Sequence, residues 1–133
     1  MALNSFEFRK GVFARLDSQL PHPIYSYVPQ DSEYPYVRLG DITVETYDTV
    51  GEQKQRYDVD IHAFDRSAAS TEVIEGIVTD IQAALHRQES NIAVTGYNMV
   101  LARHSNTQVF QQGEPNDRYW HAVSRYEFII ETN

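Results

Sequence analysis

From Tyr57 to Ala63 the chain alternates without a break. Tyr57, Val59, Ile61 and Ala63 fall at one parity, and Asp58, Asp60 and His62 at the other. A period of two is the signature of a β-strand, whose successive side chains point to opposite faces of a sheet. The spacing predicts a strand over 56–64 with one apolar and one polar face. Residues 36–50 form a longer strand candidate just before it. There Val37 and Leu39 alternate in one phase and Ile42 and Val44 in the other, so the phase slips at Gly40-Asp41 as it does at a β-bulge. Gly51 to Gln55 is polar and fits a hairpin tip. The two strands together make an antiparallel hairpin with one wet face.

Helical periodicity appears twice. Phe6, Val12, Phe13, Leu16 and Leu20 fall on one stripe over 5–20, with Asn4 or Ser5 as cap and Pro21 and Pro23 as stop. Over 70–87 the stripe is broader: Val73, Ile74, Ile77, Val78, Ile81, Ala84 and Leu85. Ser70 or Thr71 caps it, Glu72 and Glu75 sit at its positive end, and His86 and Arg87 at its negative end. Gly76 inside this helix is expected to mark close packing against a neighbour. Further strand candidates are 24–28, 97–104 and 118–131, and 106–116 is expected to be a loop or hairpin tip. The expected fold is α+β: an antiparallel β-sheet with long hairpins, packed against two α-helices on one face. With 133 residues the chain fits a single domain, 1–133.

Composition narrows the function classes. There are no cysteines, which removes disulfide frameworks, thiolate metal sites and a cysteine nucleophile. Eleven basic residues face nineteen acidic ones, a net charge of −8, which disfavours general binding to a phosphate backbone. Nine of the basic residues are Arg, a bias that fits protein contacts. No apolar stretch approaches the roughly 18–20 residues of a membrane-spanning helix. The N-terminus lacks the basic and apolar regions of a secretory signal, so a cytoplasmic site of synthesis is expected.

The strongest chemical candidate is Asp58, Asp60 and His62, which the strand period puts on one face. Carboxylate and imidazole are ligands for a divalent metal, but a solvated outer face explains the same pattern. His104 and His121 lie on separate strands and could meet across a ladder. No nucleophile elbow, phosphate-binding glycine loop or His-Glu-x-x-His motif is present. Neither catalytic nor metal residues are assigned, and no cofactor is expected. The two polar hairpin tips remain as contact candidates: Tyr47, Asp48, Thr49, Val50, Gly51, Glu52, Gln53 and Lys54 in the first, Gln111, Gln112, Gly113 and Asn116 in the second.

The segment Tyr34-Pro35-Tyr36-Val37-Arg38-Leu39-Gly40 resembles the Pro-Tyr-hydrophobic-x-hydrophobic-Gly block of phage tail-terminator proteins, also called tail-completion or head–tail joining proteins. Asp58 to Arg66 resembles the next strand of that family, with Phe64 where tryptophan is common. The helix over 70–85 and the final long strand extend the likeness over nearly the whole chain. The resemblance implies a structural virion protein, not an enzyme, from a phage or a gene transfer agent. It implies a hexameric ring on the tail tube that ends tail polymerisation and joins tail to head. The implied partners are other copies of the chain, the major tail tube protein and a head-completion or neck protein. DNA would pass through the lumen without specific binding, and no membrane is involved. The implied location is the tail–neck region of the virion. Two competing readings are another neck connector and, from a different class, a small metal-dependent enzyme using Asp58, Asp60 and His62.

Overall fold

The structure, a computed structural model, describes residues 5–30, 32–46, 53–66 and 70–132. Helix α1 (Ser5–Gln19) is followed by strands β1 (Ile24–Tyr25), β2 (Tyr36–Thr46) and β3 (Lys54–Asp65), helix α2 (Glu72–Leu85), a short 3₁₀ turn (Glu89–Asn91), and strands β4 (Tyr97–Glu114) and β5 (Asp117–Thr132). The strands form one five-stranded sheet in the order β1-β2-β3-β5-β4. Every pairing is antiparallel except β1 with β2, which run parallel. The fold is therefore α+β, as the sequence predicts, with a mixed sheet in place of a purely antiparallel one.

The alternation in β3 does what the period demands. Gln55, Tyr57, Val59, Ile61, Ala63 and Asp65 are buried, and the residues between them are half-exposed. The register places Tyr57 opposite Phe128, Val59 opposite Tyr126 and Ala63 opposite Ala122, so β3 and β5 share one apolar face. Phe8 of α1 stacks on Tyr57 with ring centroids 4.0 Å apart and meets Phe128 edge-on at 5.2 Å. Burying a side chain of this size contributes roughly 2–3 kcal/mol. Ile74, Ile77, Ile81 and Leu85 of α2 complete the same core cluster.

The stripe of α1 differs from the expected one. Its buried positions are Phe8, Val12 and Leu16, spaced by four, while Phe6 is 69% exposed. A helix completes a turn every 3.6 residues, so Phe8 lies directly in line with Val12 and Leu16 and Phe6 falls off that line. The slip of phase in β2 is a true register shift between Leu39 and Ile42. Arg9 of α1 holds the bulge: its guanidinium donates to the carbonyls of Gly40 at 2.8 Å and Leu39 at 3.4 Å.

Four further expectations change. The strand over 24–28 shrinks to two residues, held by the Val37 amide donating to the Pro23 carbonyl at 2.9 Å. The loop expected over 106–116 is strand as far as Glu114, with only Pro115-Asn116 as its turn. Asn106, Gly113 and Glu114 are poor strand formers alone, but pairing with β5 along the whole length overrides local preference. α2 ends at Leu85, and the cation at its negative end is Arg15 of α1, whose Nε donates to the Ala84 carbonyl at 2.8 Å. Arg87 lies beyond the helix in the left-handed region and pairs with Glu89 at 3.1 Å. At the other end of α2, Ser70 Oγ accepts from the Glu72 amide at 3.0 Å.

Gly76 does not mark close packing. It is exposed, and an added Cβ meets nothing within 4 Å. Its only energetic effect is then the backbone freedom it costs the helix. Gly76→Ala is expected to raise stability by about 1 kcal/mol, a few degrees in thermal midpoint, measured by calorimetry or circular dichroism.

Candidate functional site

The two helices cover one face of the sheet, and among the described residues no element covers the other. On the open face the strand registers bring together rings that are far apart in sequence. Tyr36 of β2 stacks on Phe64 of β3 at 4.9 Å, and Phe64 stacks on His121 of β5 at 4.4 Å. Phe110 of β4 reaches His121 at 4.8 Å, and Tyr34 joins Tyr36 to Tyr119 at 5.4 and 5.9 Å. A row of half-buried rings thus crosses four strands. Offset and edge contacts of this kind contribute about 0.5–1.5 kcal/mol each beyond their buried area.

His62 sits within this row. The expected meeting of His104 with His121 does not occur, because the register sets His104 opposite Tyr126 and His121 opposite Phe110. His104 Nε2 lies 2.7 Å from Thr107 Oγ1 instead. The partner of His121 is His62, with Nδ1 of His62 2.8 Å from Nε2 of His121. His121 Nδ1 in turn lies 2.8 Å from Gln112 Oε1. An amide oxygen only accepts, so His121 carries its proton on Nδ1 and offers a bare Nε2, to which His62 Nδ1–H donates. The chain of hydrogen bonds links three strands with both imidazoles neutral. Burial holds the His121 pKa down to about 4, helped by His62 and by Arg38. Burial and then Arg38 also lower His62, against the pull of Asp60 and Asp41. Gly40 makes room for this pair. A Cβ there would lie 2.6 Å from the His62 ring and 2.7 Å from the Asp60 carbonyl.

The rest of the open face is charged. Glu127, only 7% exposed, is clamped by Arg56 at 2.6 Å and by Arg103. Arg125 pairs with Asp60 at 2.9 Å, and Arg56 lies 3.6 Å from Asp58. The proposed metal trio is therefore split. Asp58 and Asp60 face guanidinium groups, and His62 turns to a second imidazole. Among the described residues no group of three or more His, Asp or Glu side chains is placed to hold a metal ion.

The strand ends that the two tips connect lie at opposite ends of the sheet. β3 begins at Lys54 opposite Glu131 and ends at Asp65 opposite Trp120. Twelve residues at about 3.4 Å each separate those ends by nearly 40 Å. Of the first tip, Tyr47, Asp48, Thr49, Val50, Gly51 and Glu52 lie outside the described residues. Gln53 and Lys54 stand at its base, where the Gln53 carbonyl accepts from the Thr132 amide at 3.2 Å. In the second tip Gln111, Gln112 and Gly113 end β4, and Asn116 lies in the turn. Gly113 has φ of 99°, and a Cβ there would lie 2.2 Å from the Asp117 carbonyl, so the tight tip requires glycine. The tip projects three residue pairs beyond the last pairing of β5 with β3.

Among the described residues the outer edge of β4 is covered only near its start. The Ala102 carbonyl accepts from the Arg87 amide at 2.8 Å, the Ala102 amide donates to Glu89 at 3.0 Å, and the His104 amide to His86 Nδ1 at 3.1 Å. From Ser105 to Gly113 the strand carries no charged residue. Lysines and prolines usually blunt an edge against pairing, and here neither appears before Pro115. Sequence reasoning missed both this edge and the ring row, because each arises from strand order.

The structure is thus one sheet in two layers, with a ring-lined face, a long uncharged edge strand and strand connections at both ends. A family model described as "Tail completion protein gp17" matches residues 13–131. The chain belongs to this family, and its place is in a phage-type tail, within the virion. A chain in the structure described as "Virion of native gene transfer agent (GTA) particle" has the same fold, with a TM-score of 0.74 at 16% identity over 90% of this chain and 91% of that one. No curated protein matches it by sequence.

Two outcomes test the site. Gly40→Ala is expected to destabilise by roughly 1–3 kcal/mol, read from urea unfolding, because a backbone carbonyl must move to admit the methyl. The folded His121 pKa of about 4 lies below the ordinary value near 6.5, so the neutral imidazole favours folding. Its contribution is fully present above pH ~6.5 and is lost as pH falls through ~6.5 toward ~4. Wild type is therefore expected to lose more stability than His121→Gln between pH 7 and pH 5. Parallel curves would remove the imidazole pair as the cause.

Proposed function

We propose that the protein is the terminator of the tail: a ring of six copies that caps the finished tail tube, stops its polymerisation and joins the tail to the head-completion protein. The observation that carries this reading is the placement of the two hairpins at opposite ends of the sheet, in a chain of the tail completion family. A connector needs one end for the tube and the other for the neck, and a single hairpin cannot serve both across nearly 40 Å. Tyr47 to Lys54 and Gln111 to Asn116 are then the contact segments, one toward each partner. The chain acts as one domain, since a single core cluster takes residues from both helices and all five strands.

A ring further needs heterologous contact, in which one patch meets a different patch on the next copy. The bare edge of β4 is one surface suited to that role. The role is structural: the polar groups of the open face are engaged with one another, in ion pairs and the imidazole pair, rather than converging on a common point. The net charge of −8 keeps the ring from holding the DNA that passes through it. The gene transfer agent virion shows that this fold occurs in a particle of the expected kind.

Electron microscopy of particles from a host lacking the gene tests the proposal. Overlong or unattached tails beside filled heads are the expected outcome. Filled heads with loose tails of normal length would place the protein in the neck instead, and normal particles would overturn the reading.

A further inference from the structure

Four large hydrophobic side chains are well exposed among the described residues: Phe6 at 69%, Tyr27 at 87%, Val73 at 39% and Val100 at 44%. They fall into two groups. Phe6 lies on α1 and Tyr27 just after β1, at the β1 end of the sheet. Val73 and Val100 lie on α2 and β4, and α2 packs over β3, β5 and β4 toward the other end. The first pair borders a groove of about 610 Å³ between α1 and β1, floored by Phe13, Ile24 and Tyr25. Such a groove accepts several side chains, and an apolar cleft of this kind is a natural docking surface.

The two ends differ in charge as well as in place. Among the described residues the groove is lined by Lys10 and by Arg9, whose guanidinium keeps its charge while it donates to the Leu39 and Gly40 carbonyls, and by no acidic residue. Lys10 lies over the Phe6 ring at 5.0 Å and 3.1 Å from Glu7, and its side chain is still 55% exposed. The exposed face of α2 carries Glu72, Glu75 and Asp80, and the helix has no Lys or Arg. The same face presents Gly76, with open space where a Cβ would stand, beside Val73. One surface is a cationic cleft lined by rings. The other is an acidic helix face with a single apolar knob and little bulk around it.

We infer that the α1–β1 groove is the docking site for α2 of a second copy of this chain. Val73 enters the cleft between Phe6 and Tyr27, and Glu72 and Glu75 lie against the Arg9–Lys10 side. The contact joins different patches on the two copies, so it propagates head to tail, as a ring requires. Opposite charge sets the register and speeds encounter, while the apolar knob holds the contact. The inference rests on the ring reading above and supplies the surfaces by which the copies meet.

The absence of native cysteine allows a direct test. Tyr27→Cys and Val73→Cys are made singly and together, then treated with a short bis-maleimide. The treatment is applied to concentrated purified protein and to particles assembled with the variants. The double variant is expected to give a ladder of trimers and larger species, and a mixture of the two single variants only dimers holding one of each. Lys10→Glu is expected to lower the yield roughly tenfold, and Glu72→Lys in the same chain to restore it. Dimers from either single variant alone, no cross-link between positions 27 and 73 in either setting, or no effect of charge reversal would overturn the docking. If the protein is missing from particles while the purified protein gives the ladder, the tail reading fails and the docking stands.

Discussion

The central strand β3 is hydrogen-bonded on both sides along nearly its whole length, to β2 and to β5. Everything else is placed relative to it. Its inward residues form the floor on which Phe8 and α2 pack, and its outward residues carry the ion pairs and His62. A one-residue slip in its pairing would exchange those two sets, sending Asp58 and Asp60 into the core. The buried rings of Tyr57 and Phe128 against Phe8 make such a slip costly. The bulge in β2 is tolerated because Gly40 leaves space for the imidazole and Arg9 satisfies the carbonyls that it exposes.

From that centre the sheet is asymmetric in a way that suits assembly. One face is closed by helices and the other lined by rings and ion pairs. One end of the strand order stops at a two-residue strand beside an apolar groove. The other stops at a long strand that pairs with β5 on one edge and carries no charged residue from Ser105 to Gly113. A protein working alone usually protects such features. Retaining an uncharged edge strand, an apolar groove and a projecting β4–β5 hairpin fits a protein whose surface is completed by neighbours. The neutral imidazole chain ties β3, β5 and the β4 hairpin, so the projecting tip is braced from its base.

Much of this was legible in the residues. The strict alternation in 57–63 and the phase slip at Gly40-Asp41 appear where expected, and the stripe of α2 does so at Ile74, Ile77, Ile81, Ala84 and Leu85, while Val73, expected on it, faces outward and is 39% exposed. The Pro-Tyr-Val-x-Leu-Gly block pointed to the family that the match over 13–131 shows. The failures have a common cause. Phe6 and Phe8 sit two residues apart, and which of them meets the core depends on how α1 is rotated over the sheet. The run 106–114 is polar and looks like a loop, but a partner strand lies beside it throughout. Asp58, Asp60 and His62 share a face, as alternation requires. The partners Arg125 and His121 are set by strand order, which no local pattern encodes, whereas Arg56 lies two residues from Asp58 and alternation alone puts it on the same face.

The sequence by itself determined both helices, the β2–β3 hairpin, the fold class and the family, because periodicity and turn chemistry act over a few residues and survive without tertiary context. Only the tertiary structure decided what those elements bring together: the ring row across four strands, the imidazole pair, the hairpins at opposite ends, and the cationic groove set apart from the acidic helix face. Each depends on contacts between residues dozens of positions apart, and such contacts form only when the strands have taken their order and register.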